Sequence, residues 1–599
     1  MPGHGGGWQD APPRMAPQRP CFVSLDDLVA QVRDGDCVGV GGALLSRLPL
    51  AALHRLAARA PRALTYASWG GGLPLEILLG AGAVSKIIFC FSSLDIFGLA
   101  PLFRRALENA EVEVEEWSAF GFAARLEAAK QNLPYMPFRV PAAPDLPPAA
   151  LFEPGSHPGI GHAPRLDLDI LLLHAQRADE AGNIEIYGAR GMDATAAFAA
   201  RRVIVTVEEV VPVGTIGSLR NAFVLPREFV DAISVTPFGA YPTSCIPYYI
   251  ADFRELSRVT AVSPPPASPP PGATRARMLA HASKLTLPQV RAAIRETSRP
   301  LTTTSVNSSL DDCTVDELMV WRLALLVEDN AVCSAGAVSP LAITSYLLAK
   351  ATHAPSAQLL MTSGGLIDVG VRPMLLGLGE ALDVASAASH CGGEDSYRWY
   401  YQQGRVAVEV VTAGQIDRYG RTNNLWVTSP NGRRIRLPGQ GGMADVADLH
   451  QHFVLYITRQ SPLSLVDAVE RVSAMRALSD AATRTAAGLR PGSIHLVTNL
   501  AEYHFDLALG EFVLVSVHPG VSKEEVVAAS GFVPAQAPQV AITGAPPAAV
   551  LGLLRREVDP LGIRRLEFVP AKERRKSLDA CIAAEQSVIS SALRLKDAL

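Results

Sequence analysis

The chain has 599 residues, with 54 Lys and Arg against 58 Asp and Glu, a formal net charge of −4, and 48% hydrophobic and 19% charged residues. That length exceeds one hydrophobic core, so two or more domains are expected. The nearly balanced charge, without a basic run, excludes a nucleic-acid-binding protein, and the apolar content excludes a disordered one.

Eight cysteines, at 21, 37, 90, 245, 313, 333, 391 and 581, form no CxxC pair. Neither a metal site nor a disulfide framework is legible, and the thiols read as isolated and buried in a reducing compartment. The opening "MPGHGGGWQDAPPRMAPQRP" has no apolar core, so it reads as a disordered arm rather than a signal peptide. No run of eighteen apolar residues occurs, which predicts no membrane span and a cytoplasmic location.

In chain order, "SLDDLVAQVRDGD" predicts a capped helix, then a short strand, a glycine turn and the helix of "VGGALLSRLPLAALHRLAARAP". Residues 141–164 read as a long loop, and "LDILLLHAQRADEAGNIEIYG" as an apolar strand entering a polar turn. "SPPPASPPPG", 263–272, reads as a semi-rigid polyproline linker, followed by about thirty mixed helical and polar residues. A second globular segment is expected from Val306. It repeats the first pattern in "TVDELMVWRLALLVEDN" and "AVCSAGAVSPLAITSYLLAKATHAP", and later in "VAVEVVTAGQIDRYGRTNN".

Helix, strand, glycine turn and helix in this order imply an α/β fold of two similar open, mainly parallel-sheet domains in one chain. The boundaries are a disordered 1–21, a first domain 22–255, a linker 256–305, a second domain 306–575 and a C-terminal helix 576–599. Ligands of such sheets sit beyond the carboxyl ends of the strands, which predicts one site between the halves. "LLMTSGGLIDVG", Leu359 to Gly370, is such a strand end, presenting Thr362 before small residues that turn the backbone.

The second half resembles the β subunit of class I CoA-transferases of the glutaconate CoA-transferase type. The resemblance lies in "AGAVSPLAITSYLLAKATHAP", "SHCGG", "TAGQIDRYGRTNN", "LPGQGGMADVA" and "HPGVSKEEVVAASGFV", in that order. The first half resembles the α subunit through "VRDGDCVGVGG", "GAGAVSKIIFCF", "EVEEWSAFGFAARLEAAKQNLPYMPFR" and "RRVIVTVEEVV". The resemblance covers most of 22–255 and 306–570 and implies fused α-like and β-like domains. It also implies a CoA thioester as substrate, no permanently bound cofactor, no metal and a homodimer of the fused chain.

In that family a glutamate follows the strand after the Ala-Pro helix end. It attacks the acyl-CoA to give an anhydride and then an enzyme-bound CoA thioester. Through "THAPSAQLLMTSGGL" its position falls on Thr362, and a hydroxyl cannot form that anhydride. Relatives without the glutamate include ring-opening hydrolases, whose chemistry is assigned to a glutamate in a segment like "VEVEEWSAFGFAAR". Here Glu115 or Glu116 matches it. Glu116 is preferred, because strand alternation places it with Val112 and Val114 on an inward face, where burial raises a carboxyl's pKa to suit a general base.

Arg125 and Arg139 are candidate forks for a substrate carboxylate, with a surface ion pair as the plainer reading of each. Gly439, Gly441 and Gly442 resemble the loop that approaches the thioester and are candidate oxyanion donors, as well as a tight turn. Gly41 and Gly42 form the corresponding turn of the first half. Thr362 and Ser363 are candidate hydrogen-bond donors to substrate. Cys391 and Cys333 are read as structural thiols before nucleophiles, and His390 as a structural histidine.

The chain therefore reads as an acyl-CoA-processing enzyme with hydrolase or C–C-cleaving chemistry. One alternative is genuine CoA transfer, which would need a replacement carboxylate such as Glu394 or Asp368. Another is a non-catalytic acyl-CoA-binding protein. "GVGGALL" lacks the GxGxxG fingerprint of a nicotinamide enzyme.

Overall fold

The computed structural model describes residues 20–141, 143, 145, 153–154, 159–297, 313–336, 339–477 and 480–597. The Gly/Pro-rich N-terminal stretch, much of the 141–164 loop and the expected start of the second half at Val306 lie outside them. Among the described residues, no helix is long and apolar enough to cross a membrane.

The first half is built on β1 (Cys21–Phe22), β2 (Cys37–Val40), β3 (Leu64–Ala67), β4 (Val84–Phe89), β5 (Glu113–Glu116), β6 (Ile170–Asp179), β7 (Val203–Val211) and β8 (Ala232–Val235). They lie in the order β1-β8-β7-β6-β2-β3-β4-β5, and every neighbouring pair is parallel. Parallel strands need crossovers, and these cover both faces of the sheet with apolar clusters. The central β6, "ILLLHAQRAD", is accordingly buried along nearly its whole length rather than alternating.

The second half contributes β9 (Val332–Ala335), β10 (Gln358–Met361), β11 (Leu366–Ile367), β12 (Ser389–His390), β13 (Val408–Val411), β14 (His452–Ile457), β15 (Ile494–Thr498), β16 (Ala501–Asp506), β17 (Glu511–Val517) and β18 (Ala535–Ile542). Their order is β12-β11-β10-β9-β13-β14-β15-β16-β17-β18. The core from β10 to β15 is parallel, with antiparallel strands added on both sides. The expected pair of open, mainly parallel α/β sheets is present in one chain.

The segment joining the halves is folded onto the second. After the proline-rich stretch, α1 (Ala273–Ala282) and α2 (Leu287–Thr297) bury Leu279, Val290 and Ile294 in the same cluster as Leu359 and Val408. The C-terminal helix α3 (Ala571–Asp597) adds Leu578, Ile582 and Ile589 to that cluster. Its Glu585 accepts the backbone N–H groups of Leu376 and Leu378 at 3.0 and 2.8 Å. These begin the Gly377–Ser386 helix, whose first amides have no acceptor within the helix.

Candidate active site

The carboxyl ends of both sheets converge on a cavity of about 690 Å³ lined by both halves. The first half supplies the Gly41-Gly42 turn after β2, Trp69 after β3 and Phe91 after β4. The second supplies Gly336 after β9, Thr362 and Ser363 after β10, Glu409 of β13 and the Gly439–Gly442 loop. A smaller apolar recess of about 210 Å³ adjoins it, sharing Gly336, Ser339 and Ser363 and walled by Ile343, Met361 and Met374.

Thr362 begins a one-turn 3-10 helix, Thr362–Gly364, closed by Gly365 in the left-handed conformation at φ 68°. A Cβ on Gly365 would stand 2.2 Å from the Cys391 carbonyl oxygen, so the turn admits only glycine there. The turn folds the Thr362 hydroxyl back into the sheet, where it is 4% exposed and shares a short hydrogen bond with Ser334 of β9. Ser334 in turn lies 2.5 Å from the Tyr401 hydroxyl, which donates to Glu409 Oε2. A carboxylate only accepts, so the single Tyr401 hydrogen goes to Glu409, and the hydroxyl chain runs Thr362 to Ser334 to Tyr401 to Glu409. His450 completes the cluster, with Nε2 at 3.0 Å from the same Glu409 oxygen. Burial holds His450 below the ordinary imidazole range despite Glu409, so it is a neutral ring donating its Nε2 hydrogen.

Ser334, Tyr401, Glu409 and His450 escaped the sequence reading. One signal was available: "VAVEVV" places a glutamate inside an apolar run, and a strand buried on both faces admits a charge only where something receives it.

Glu115 and Glu116 stand at the end of β5, the first half-buried and the second fully buried, but neither lines the cavity. Glu115 accepts from Arg125 at 2.5 Å and from the Trp117 indole at 2.9 Å, with Lys86 at 3.3 Å. Burial pushes its carboxyl up, yet Arg125 and the other donors hold it below the usual range. Glu116 Oε2 lies 2.6 Å from Arg436, each partner 2% exposed. Burial raises its carboxyl against the pull of Arg436, in the direction the sequence suggested. The expected reason does not hold, since β5 is an edge strand and Val114 is 36% exposed. Glu116 is buried because Arg436 and the Gly439 loop cover the strand end. Its Oε1 would lie 2.9 Å from a Cβ at Gly439.

Arg125 is spent on Glu115, on the Pro164 carbonyl at 3.0 Å and on the Trp117 ring, and it is a buried partner rather than a surface one. Arg139, at the end of the Tyr135–Arg139 strand, does not line the cavity either.

The Gly439–Gly442 loop does line the cavity, but two of its amides are engaged. Gly439 N–H donates to the Asn424 carbonyl at 3.0 Å and Gly441 N–H to the Cys90 carbonyl at 3.1 Å. That removes them as free oxyanion donors and makes the loop a stitch between the halves. Gly442 is small because Tyr397 needs the space, a Cβ there falling 1.8 Å from its hydroxyl oxygen.

The remaining candidates lie off the cavity. Burial pushes the Cys391 and Cys333 thiols up to about 12 and the His390 ring down to about 4. Glu394 is pushed up to about 7 by burial and accepts from Thr195 across the halves at 2.5 Å; Asp368 pairs with Lys350 at 2.9 Å. His174, Glu208 and Cys245 bring potential ligand atoms within 4.8 Å of one another. Both imidazole nitrogens there are already hydrogen-bonded, to Glu208 at 2.8 Å and to Thr206 at 2.9 Å.

Known proteins share this geometry's framework. The family model described as Coenzyme A transferase matches residues 22–236. Both subunits of the 3-oxoadipate CoA-transferase of Pseudomonas knackmussii are similar to parts of this chain. One of them is 30% identical over 242 residues, 40% of this chain and 91% of its own length. The other is 31% identical over 231 residues, 37% of this chain and 81% of its own length. The IpdA subunit of the cholesterol ring-cleaving hydrolase of Mycobacterium tuberculosis is 30% identical over 245 residues, 38% and 84% of the two chains. An uncharacterised Archaeoglobus fulgidus protein is also 30% identical, but this chain spans only 56% of its length. The fold as a whole matches the acyl-CoA transferase YdiF of Escherichia coli O157:H7 with a TM-score of 0.62 at 14% identity, covering 89% of this chain and 96% of that one. Two polypeptides that are separate in Pseudomonas are both matched within this one, and the chain is an enzyme of the coenzyme A transferase family.

Proposed function

We propose that the chain processes an acyl-CoA in the cavity between its halves by hydrolysis or C–C cleavage, rather than by exchanging CoA through a carboxylate at the end of β10. The observation that carries this reading is Thr362, which presents a hydroxyl tied to Ser334 where the family's transferases are expected to present a glutamate. A hydroxyl cannot form the acyl anhydride on which transfer depends. The similarity to a ring-cleaving hydrolase subunit supports non-transferase chemistry in this family. The adjoining recess, walled by Ile343, Met361 and Met374, suits an apolar acyl group.

Transfer keeps in its favour the similarity to both 3-oxoadipate CoA-transferase subunits and the Glu409 carboxylate in the same cavity wall. The test is mass spectrometry of reactions with a panel of acyl-CoAs, with and without acetate or succinate. Free CoA released without an acceptor is the expected result. A new acyl-CoA formed only when an acceptor is present would overturn the reading.

A further inference from the structure

Resting on that reading, we infer that Glu409 is the carboxylate that meets the acyl carbonyl, and that Tyr401 and His450 position it. Glu409 is the one charged side chain of "VEVV" in β13, 6% exposed, on the wall of the inter-half cavity. β13 is hydrogen-bonded to β9, and β9 to β10, so Glu409 projects two strands from Thr362 at the same end of the sheet.

Its partners differ from those of Glu115 and Glu116. Glu115 and Glu116 each face a guanidinium, whereas Glu409 has no Lys or Arg within ion-pair distance among the described residues. It is held by neutral donors, the Tyr401 hydroxyl and the His450 ring, both on Oε2. Neutral donors orient a carboxylate without neutralising it, so its negative charge is left for a ligand or a water.

The second oxygen is the one presented. Oε1 points toward Gly336, where a Cβ would stand 3.2 Å from it, and Gly336 itself lines both the cavity and the apolar recess. One oxygen is thus fixed by two donors while the other faces the space where both cavities meet. Ser334 links the assembly to Thr362 through Tyr401, so the hydroxyl at position 362 is part of the scaffold that orients Glu409.

In the hydrolytic reaction, Glu409 Oε1 takes a proton from a water whose oxygen adds to the thioester carbonyl. The carbon–sulfur bond then breaks, and the CoA sulfur leaves with the proton held on Glu409. The products are the free carboxylic acid and CoA thiol, with Glu409 returned to its starting state.

Glu409→Gln keeps the side chain's shape and is expected to lower kcat by at least about 100-fold, the scale of a general base. KM and the thermal transition should stay near those of the parent. A kcat within about threefold of the parent would overturn the inference. The second measurement does not depend on turnover. A CoA thioether carrying a 3-bromo-2-oxopropyl group places an alkylating carbon beside the acyl carbonyl position, and peptide mass spectrometry locates the adduct. Alkylation of Glu409, absent in Glu409→Gln, supports the inference even if no acyl-CoA in the panel is turned over. Alkylation only elsewhere in the cavity overturns it. A CoA thioester formed on Glu409 itself would support the residue as the reacting carboxylate and overturn the hydrolytic reading instead.

Discussion

The end of β5 and the end of β13 each bury a glutamate close to the junction of the halves, and the two are held in opposite ways. Glu116 is paired with Arg436, a guanidinium itself closed in by Phe89, Phe103 and Trp426. Glu409 is held by a phenol and a neutral imidazole, with its second oxygen facing a cavity. A buried carboxylate matched by a cation has its charge balanced within the fold. One oriented by neutral hydrogen bonds keeps its charge available for chemistry. Burial and a raised pKa therefore do not identify a catalytic acid unless the partner is also known.

The contrast breaks most visibly on the structural side. Arg436→Met should destabilise the protein by about 3–5 kcal/mol, because it leaves the Glu116 charge buried and uncompensated. Replacing both, with Glu116→Leu, should recover most of the loss. Denaturant unfolding of the three variants checks this, and an Arg436→Met protein as stable as the parent would remove the contrast.

A smaller effect comes from pH. Burial pushes Asp445, Glu567 and Glu585, like Glu394, up to about 7, against the hydrogen bonds each accepts. Each binds its proton more tightly folded than unfolded. Their contribution to stability is therefore complete below about pH 4, the unfolded carboxyl range, and is lost as pH rises through 7. Stability, and the thermal transition with it, should fall from pH 5.5 to pH 8, each group losing at most roughly 1.4 kcal/mol per pH unit between 5.5 and 7. Glu585→Gln should flatten that slope.

The smallest effect tests the scaffold of Glu409. Thr362→Val removes the hydroxyl at the far end of the chain and leaves Ser334 without that partner. The expected cost is about 1 kcal/mol of stability, with kcat lowered by less than tenfold, read from unfolding and steady-state rates. A loss of kcat as large as that of Glu409→Gln would move the chemistry back to position 362.

By itself the sequence determined the local events: the strands, the glycine turns, the Pro-led helices and the recurrence of that order in two halves. These follow from apolar periodicity and backbone permissiveness, which act within a few residues. It also marked Thr362 as a strand end facing a ligand, and the structure places that residue on the cavity wall. Tertiary structure alone decided that Glu409, rather than Glu115 or Glu116, lines the cavity. Glu116 and Arg436 are 320 positions apart, and Gly441 donates to Cys90 across a comparable span. The guanidinium that pairs with the buried Glu116 comes from the other half, and no spacing along the chain announces it. The same separation explains the glycine loop, where the Gly439 and Gly441 amides look free in sequence and are taken by carbonyls, one of them in the opposite domain. Partner identity sets whether a buried charge stabilises or reacts, and partners are chosen by packing.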